Sequence, residues 1–128
     1  MIYLLDTQAF LWLDSSPASL SPKAREACQN PDNLLWVSVG SIWEIQIKLG
    51  LGKIKIATPL AELIASQSRV NGIQILSATL AHILELNSLP LIHRDPFDRL
   101  IISQAKCEDW TIISSDAVFP HYPVTVVW

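Results

Sequence analysis

Short apolar runs alternate with longer stretches of helical periodicity along this whole chain, and that alternation points to a parallel α/β sheet. The runs fall at residues 2–5, 34–38, 73–76, 111–114 and 124–127. Helical segments fill the gaps. One covers 7–14, and Ser21-Pro22 opens the next, with serine as cap and proline in the first turn, running to about Asn30. Over 40–49, Ile42, Ile45 and Leu49 share a face at i, i+3, i+7 spacing. Thr58-Pro59 opens a helix to about Val70 that Asn71-Gly72 stops, and Ser77 opens another to Asn87. The last and longest starts at Asp95-Pro96, with Phe97, Leu100, Ile101 and Ala105 facing inward. Pro123 heads the final run, which suits an edge strand. Right-handed crossovers narrow the strand order without fixing it. With 128 residues and neither repeat nor linker, residues 1–128 read as a single domain.

Hydrophobic residues make up 50% of the chain and charged residues only 16%. Two explanations are open: strands buried on both faces, or an apolar surface reserved for self-contact or a partner. No apolar stretch approaches the roughly 18–20 residues needed to span a bilayer. The N-terminus shows neither a basic leader nor a small-residue cleavage site. Cys28 and Cys107 form no metal-binding spacing. The expectation is a cytoplasmic protein with two reduced, structural thiols and no membrane association.

Four carboxylates carry the chemistry: Asp6, Glu44, Asp98 and Asp116. Asp6 follows the first apolar run and Asp116 the fourth, with Ser114 and Ser115 between. In a parallel sheet the strand C-termini share one edge, and ligands bind in the crevice outside it. Acids far apart in sequence can therefore become neighbours. Packed carboxylates repel unless protonated or shared by a cation, and their oxygens suit Mg²⁺ or Mn²⁺, ions that support phosphodiester hydrolysis.

Each acid also has a plainer explanation. Asp6 is a candidate helix cap, although Thr7 could cap equally well. Glu44 shares a polar face with Ser41 and Lys48 and can form a solvent-exposed i, i+4 pair with Lys48. That lysine can alternatively orient Glu44 or meet a phosphate. Asp95-Pro96-Phe97-Asp98 matches an N-cap, a first-turn proline and an acid at the third helical position. Asp95 is then structural, while Asp98 sits where the helix dipole favours negative charge. Asp116 is a candidate turn residue, with Ser114 and Ser115 placed to bond a water or the backbone. The net charge of −3 looks wrong for a nucleic-acid binder, yet setting the four acids aside leaves +1, so the acidity can be local.

Other signals are weaker. Gly50-Leu51-Gly52-Lys53 lacks the earlier glycine and the following hydroxyl residue of a phosphate-binding loop. Lys48, Lys53, Lys55, Arg94 and Arg99 are candidate phosphate contacts, or a solvated face. His82, His93 and His121 have no zinc spacing, and His93 reads as a loop histidine or a substrate contact. No Gly-x-Ser-x-Gly elbow occurs.

Leu4-Leu5-Asp6-Thr7, Ser41-Ile42-Trp43-Glu44-Ile45, His93-Arg94-Asp95-Pro96-Phe97-Asp98-Arg99-Leu100-Ile101 and Ser114-Ser115-Asp116 together resemble PIN-domain ribonucleases, most closely the VapC-type toxins of bacterial toxin–antitoxin pairs. The resemblance spans essentially the whole chain. It implies an α/β, PIN-like fold with a five-stranded parallel sheet flanked by helices. It also implies endonucleolytic RNA cleavage with Mg²⁺ or Mn²⁺, the quartet Asp6, Glu44, Asp98 and Asp116 as catalytic and metal-binding residues, a homodimer, and a cognate antitoxin whose C-terminal segment occupies the groove. Gln8 stands where related chains often carry histidine, and Ser114 where threonine is common. Thr7, Lys48, Asp95, Ser114 and Ser115 are the supporting candidates. The implied chemistry is in-line attack of water on a single-stranded or looped RNA. Two alternatives compete: a non-catalytic PIN-like interaction protein, and a metal-dependent phosphatase. The phosphatase would need an acid near position 8, where Gln8 stands.

Overall fold

All five apolar runs become strands, and each strand explains its own composition. The computed structural model describes all 128 residues. Five strands, β1 (Ile2–Leu5), β2 (Leu34–Ser38), β3 (Gln74–Leu76), β4 (Thr111–Ile113) and β5 (Val126–Val127), form one sheet in the order β3-β2-β1-β4-β5. Every pairing is parallel, with Leu5 opposite Val37 on one side and Ile113 on the other. Successive side chains leave a strand on opposite faces. Tyr3, Leu5 and Ile113 accordingly join Phe10, Leu13, Ala24, Ile45 and Leu63 in one core. Leu4 and Ile112 join Ile101, Ile102, Ala105 and Phe119 in the other. Double burial accounts for the apolar runs of the central strands β1 and β4, at roughly 1.5–3 kcal/mol for each large side chain withdrawn from water. At the sheet's edge, β3 carries the exposed Gln74 and Ile75.

Six helices cover the two faces: α1 (Thr7–Ser15), α2 (Pro22–Gln29), α3 (Val39–Gly50), α4 (Leu60–Asn71), α5 (Leu80–Glu85) and α6 (Pro96–Glu108). Ser21 caps α2 and Gly72 ends α4 in the left-handed conformation at φ 67°, both as the sequence predicts. Ser38, read as the end of a strand, also caps α3, and α4 starts after Pro59 with no side-chain cap from Thr58. The segment expected from Ser77 to Asn87 is shorter than that. Thr79, not Ser77, caps α5, and the helix tightens at Leu86–Ser88 into a 3₁₀ turn. The Ser77 carbonyl instead accepts from Gln104 Nε2 at 3.3 Å, while Thr79 and His82 exchange the two bonds of a capping box.

Gly40 marks a close approach of α3 to α6, where a Cβ would lie 2.7 Å from Leu100 Cδ2. Cys28 is packed in the core, but Cys107 is exposed, so only one of the two thiols is structural in the sense expected. Apolar surface does remain outside. Val39, Trp43 and Ile47 along α3, with Leu51 at its C-cap, repeat every fourth residue and are exposed, Trp43 at 63%. No helix is long and apolar enough to cross a membrane.

Candidate active site

The sheet order sets the site. β1 is central, and the chain leaves it first toward β2 and β3, then later toward β4 and β5, which makes its C-terminal end the reversal point where a crevice opens. Asp6 occupies that point, its N–H bonded to the Ile113 carbonyl of β4 at 3.0 Å. With φ −72° and ψ 171° it is also the cap of α1, Oδ1 accepting from the Ala9 N–H at 2.7 Å. Oδ2 accepts from the Ser114 hydroxyl at 2.5 Å, and Ser114 Oγ accepts in turn from the Asp116 N–H at 3.1 Å. One serine thus ties together the acids that follow β1 and β4.

The capping role open to Thr7 goes to Asp6, and Thr7 does something else. Its Oγ1 lies 2.7 Å from Glu44 Oε1 and 2.9 Å from Ser41 Oγ. A carboxylate can only accept, so the single Thr7 proton goes to Glu44 and the Ser41 hydroxyl supplies the other bond. Lys48 Nζ holds Glu44 Oε2 at 2.8 Å, and that bond is the first cause raising the lysine's pKa. Glu44 is only 6% exposed. The solvated pair allowed by the sequence is therefore a carboxylate drawn inward and gripped at both oxygens.

α6 begins at the same edge. Asp95 Oδ1 accepts from the N–H groups of Phe97 and Asp98, at 2.9 and 3.1 Å, as the Asp-Pro-x-Asp spacing predicts. Asp98 follows in the first turn, its Oδ2 3.2 Å from His93 Nε2. Asp116 Oδ1 accepts from the Val118 N–H at 3.0 Å. Asp98 Oδ1 and Asp116 Oδ2 have no partner within the protein.

Burial pushes the Asp6 carboxyl up to about 6; its bonds from Ser114 and Ala9 pull the other way, and Asp116 and Glu44 add repulsion. Asp98 also rises to about 6, again chiefly through burial, opposed by the His93 bond and reinforced by Asp95 and Glu44. Placement near helix N-termini favours these anions, but desolvation is the larger effect at both.

The four acids line one cavity of about 310 Å³, together with Thr7, Gln8, Lys48, Asp95 and Ser115. Five carboxylates there face one ammonium. Oxygen-only donors of one charge sign are what Mg²⁺ or Mn²⁺ takes, so the residues fit such an ion in chemistry and location. No three His, Cys, Asp or Glu side chains already stand in a metal-holding arrangement. Of the remaining candidates, Ser114 lies behind Asp6, outside the lining. Lys53, Lys55, Arg94 and Arg99 are also outside it; Arg99 turns inward, donating from Nη1 to the Pro90 carbonyl at 2.8 Å and to the Tyr122 hydroxyl at 3.1 Å. Tyr122, which nothing in the sequence singled out, touches the site through His93. Its buried hydroxyl carries no pattern in the primary structure.

The same fold occurs in several solved structures. VapBC2 from Rickettsia felis, bound to a DNA fragment from its promoter, aligns over 99% of this chain and 98% of its own, with a TM-score of 0.71 at 17% identity. VapBC-1 from nontypeable Haemophilus influenzae aligns over 99% and 97%, with a TM-score of 0.64 at 16% identity. FitAcB from Neisseria gonorrhoeae covers 100% and 97%, with a TM-score of 0.61 at 19% identity. No curated protein sequence matches significantly. The PIN-domain family profile matches residues 3–124, nearly the whole chain, and the protein belongs to the PIN-domain family.

Proposed function

We propose that this protein is a metal-dependent endoribonuclease, the VapC-type toxin of a toxin–antitoxin pair, acting on single-stranded or looped RNA in the cytoplasm. The observation that carries the reading is the gathering of Asp6, Glu44, Asp98 and Asp116 around one cavity at the carboxyl edge of the sheet. These four carboxylates would hold Mg²⁺ or Mn²⁺. The bound ion supplies Lewis acidity, lowering the pKa of the attacking water and offsetting charge on the phosphodiester oxygens. The chain's own residues set the frame. Ser114 fixes Asp6, Thr7 and Lys48 fix the two oxygens of Glu44, and Asp95 anchors the helix turn that carries Asp98. Lys48, nearly half exposed, is the one cation at the cavity available to a phosphate.

A homodimer and a cognate antitoxin belong to the same reading, and the exposed apolar line along α3 supports an association surface. The competing, non-catalytic reading draws on the absence of a preformed metal-holding trio. Calorimetry with Mn²⁺ separates the two, since an interaction module takes up no ion at this site. The decisive assay is cleavage of a defined single-stranded RNA with and without chelator. Cleavage is expected only with Mg²⁺ or Mn²⁺, and Asp6→Asn is expected to abolish it while leaving the circular-dichroism spectrum unchanged. Wild-type activity in that variant refutes the assignment.

A further inference from the structure

Behind Asp98, outside the cavity lining, a chain of polar groups runs inward. The Tyr122 hydroxyl lies 2.6 Å from His93 Nδ1, 3.2 Å from the His93 N–H and 3.1 Å from Arg99 Nη1. A phenol has two acceptor sites and one proton. The backbone N–H and the guanidinium can only donate, so they fill both acceptor sites. The phenol proton is then left for His93 Nδ1, which must accept it. The ring proton therefore sits on Nε2, the nitrogen 3.2 Å from Asp98 Oδ2. Any arrangement with a proton on Nδ1 puts three donors on one phenol oxygen and leaves the phenol proton unused. Arg99 adds its bond to the Pro90 carbonyl and lies over the Tyr122 ring, 5.9 Å from its centroid, while Tyr122 meets His93 edge-on at 5.4 Å. Tyr122 itself is buried in the core beside Ile101 and Phe119.

We infer that Arg99, Tyr122 and His93 form a positioning chain that locks His93 as the Nε2–H tautomer, so that it holds Asp98 by Oδ2 and leaves Oδ1 free for a cation. The inference rests on the nuclease reading for the cation and on hydrogen-bond accounting alone for the tautomer. Residues that orient a metal ligand through its unused atom commonly change metal affinity by 10–100-fold when removed.

Two measurements test it. Long-range ¹H–¹⁵N spectra of the metal-free protein at pH 8 are expected to show His93 protonated on Nε2 in the wild type and a tautomer mixture in Tyr122→Phe. Titration with Mn²⁺ is expected to show affinity lowered about 10-fold in Tyr122→Phe and about 10–100-fold in His93→Ala. His93→Gln, whose amide nitrogen can reach the position of Nε2, is expected to recover part of that loss. A purely structural role for Tyr122 would lower stability and leave both readouts unmoved. An Nδ1–H ring in the wild type overturns the chain. So does Mn²⁺ affinity unchanged in both Tyr122→Phe and His93→Ala, or a His93→Gln no better than alanine. Absence of Mn²⁺ uptake by the wild type overturns the nuclease reading instead, and the tautomer then decides the hydrogen-bond chain by itself.

Discussion

Asp6 performs two tasks that pull on one carboxyl group. As the cap of α1 it accepts a backbone N–H, and as the residue at the sheet's reversal point it lies buried beside other acids. Its pKa, raised from 3.8 to about 6, has a definite consequence for stability. Between those values the folded chain keeps a proton that the unfolded chain has released, so this group's contribution to unfolding free energy falls as pH rises from about 4 to about 6, then levels off. Roughly two pKa units correspond to about 3 kcal/mol at most. Asparagine caps helices as well as aspartate does and does not titrate. In chelator, the stability of wild type minus that of Asp6→Asn should therefore decline across that window, as read by urea unfolding from pH 4 to 8. A difference independent of pH would sink the expectation. Asp6 was legible in the sequence as a candidate site residue, and as one lining the cavity at the sheet edge, because it ends an apolar run. Its cap was not, because Thr7 offered an equivalent oxygen and only the fold reveals that Glu44 claims it. Tyr122 was illegible altogether, since a phenol's partners depend on a contact 29 residues away.

At the scale of elements, helix ends do the placing. α6 brings Asp98 to the site because Asp95 caps its first turn with two bonds and Pro96 presets the backbone. Asp95→Ala should cost about 1 kcal/mol, measured by thermal unfolding, and Asp95→Ser should restore most of it. If Asp95 is only an anchor, the serine variant also keeps RNA cleavage; loss of cleavage at restored stability would make Asp95 part of the chemistry. The Asp-Pro-x-Asp pattern announced this element in full. The central strands β1 and β4 were equally readable, because burial on both faces leaves them almost wholly apolar. α5 was read too long, since a serine at 77 looks like a cap until Gln104 takes its carbonyl and the chain stays extended to Thr79. Strand order was unreadable because it depends on which strands meet across the sheet, and right-handed crossovers alone leave several orders open.

For the whole molecule, the salient quantity is where the charge lies. The net charge is only −3, yet five carboxylates and a single ammonium share one cavity. Folding alone concentrates that repulsion, and on the proposed reading a dication bound only by the folded state would relieve it. Mn²⁺ at 100 times its dissociation constant should stabilise the protein by about 2.7 kcal/mol, seen as a rise in melting temperature that Asp98→Asn largely removes. An equal rise in that variant would mean the ion binds elsewhere.

The two thiols differ in a way that makes the site observable. Cys28 is buried and pushed up to about 11 by desolvation, whereas Cys107 lies exposed near the far end of the helix that begins at Asp95. A nitroxide reagent should attach to Cys107 alone, nine residues and about 14 Å along the axis from Asp98. Paramagnetic Mn²⁺ seated among the acids would broaden that label's spectrum, giving a spectroscopic ruler to the ion without a substitution in the sequence.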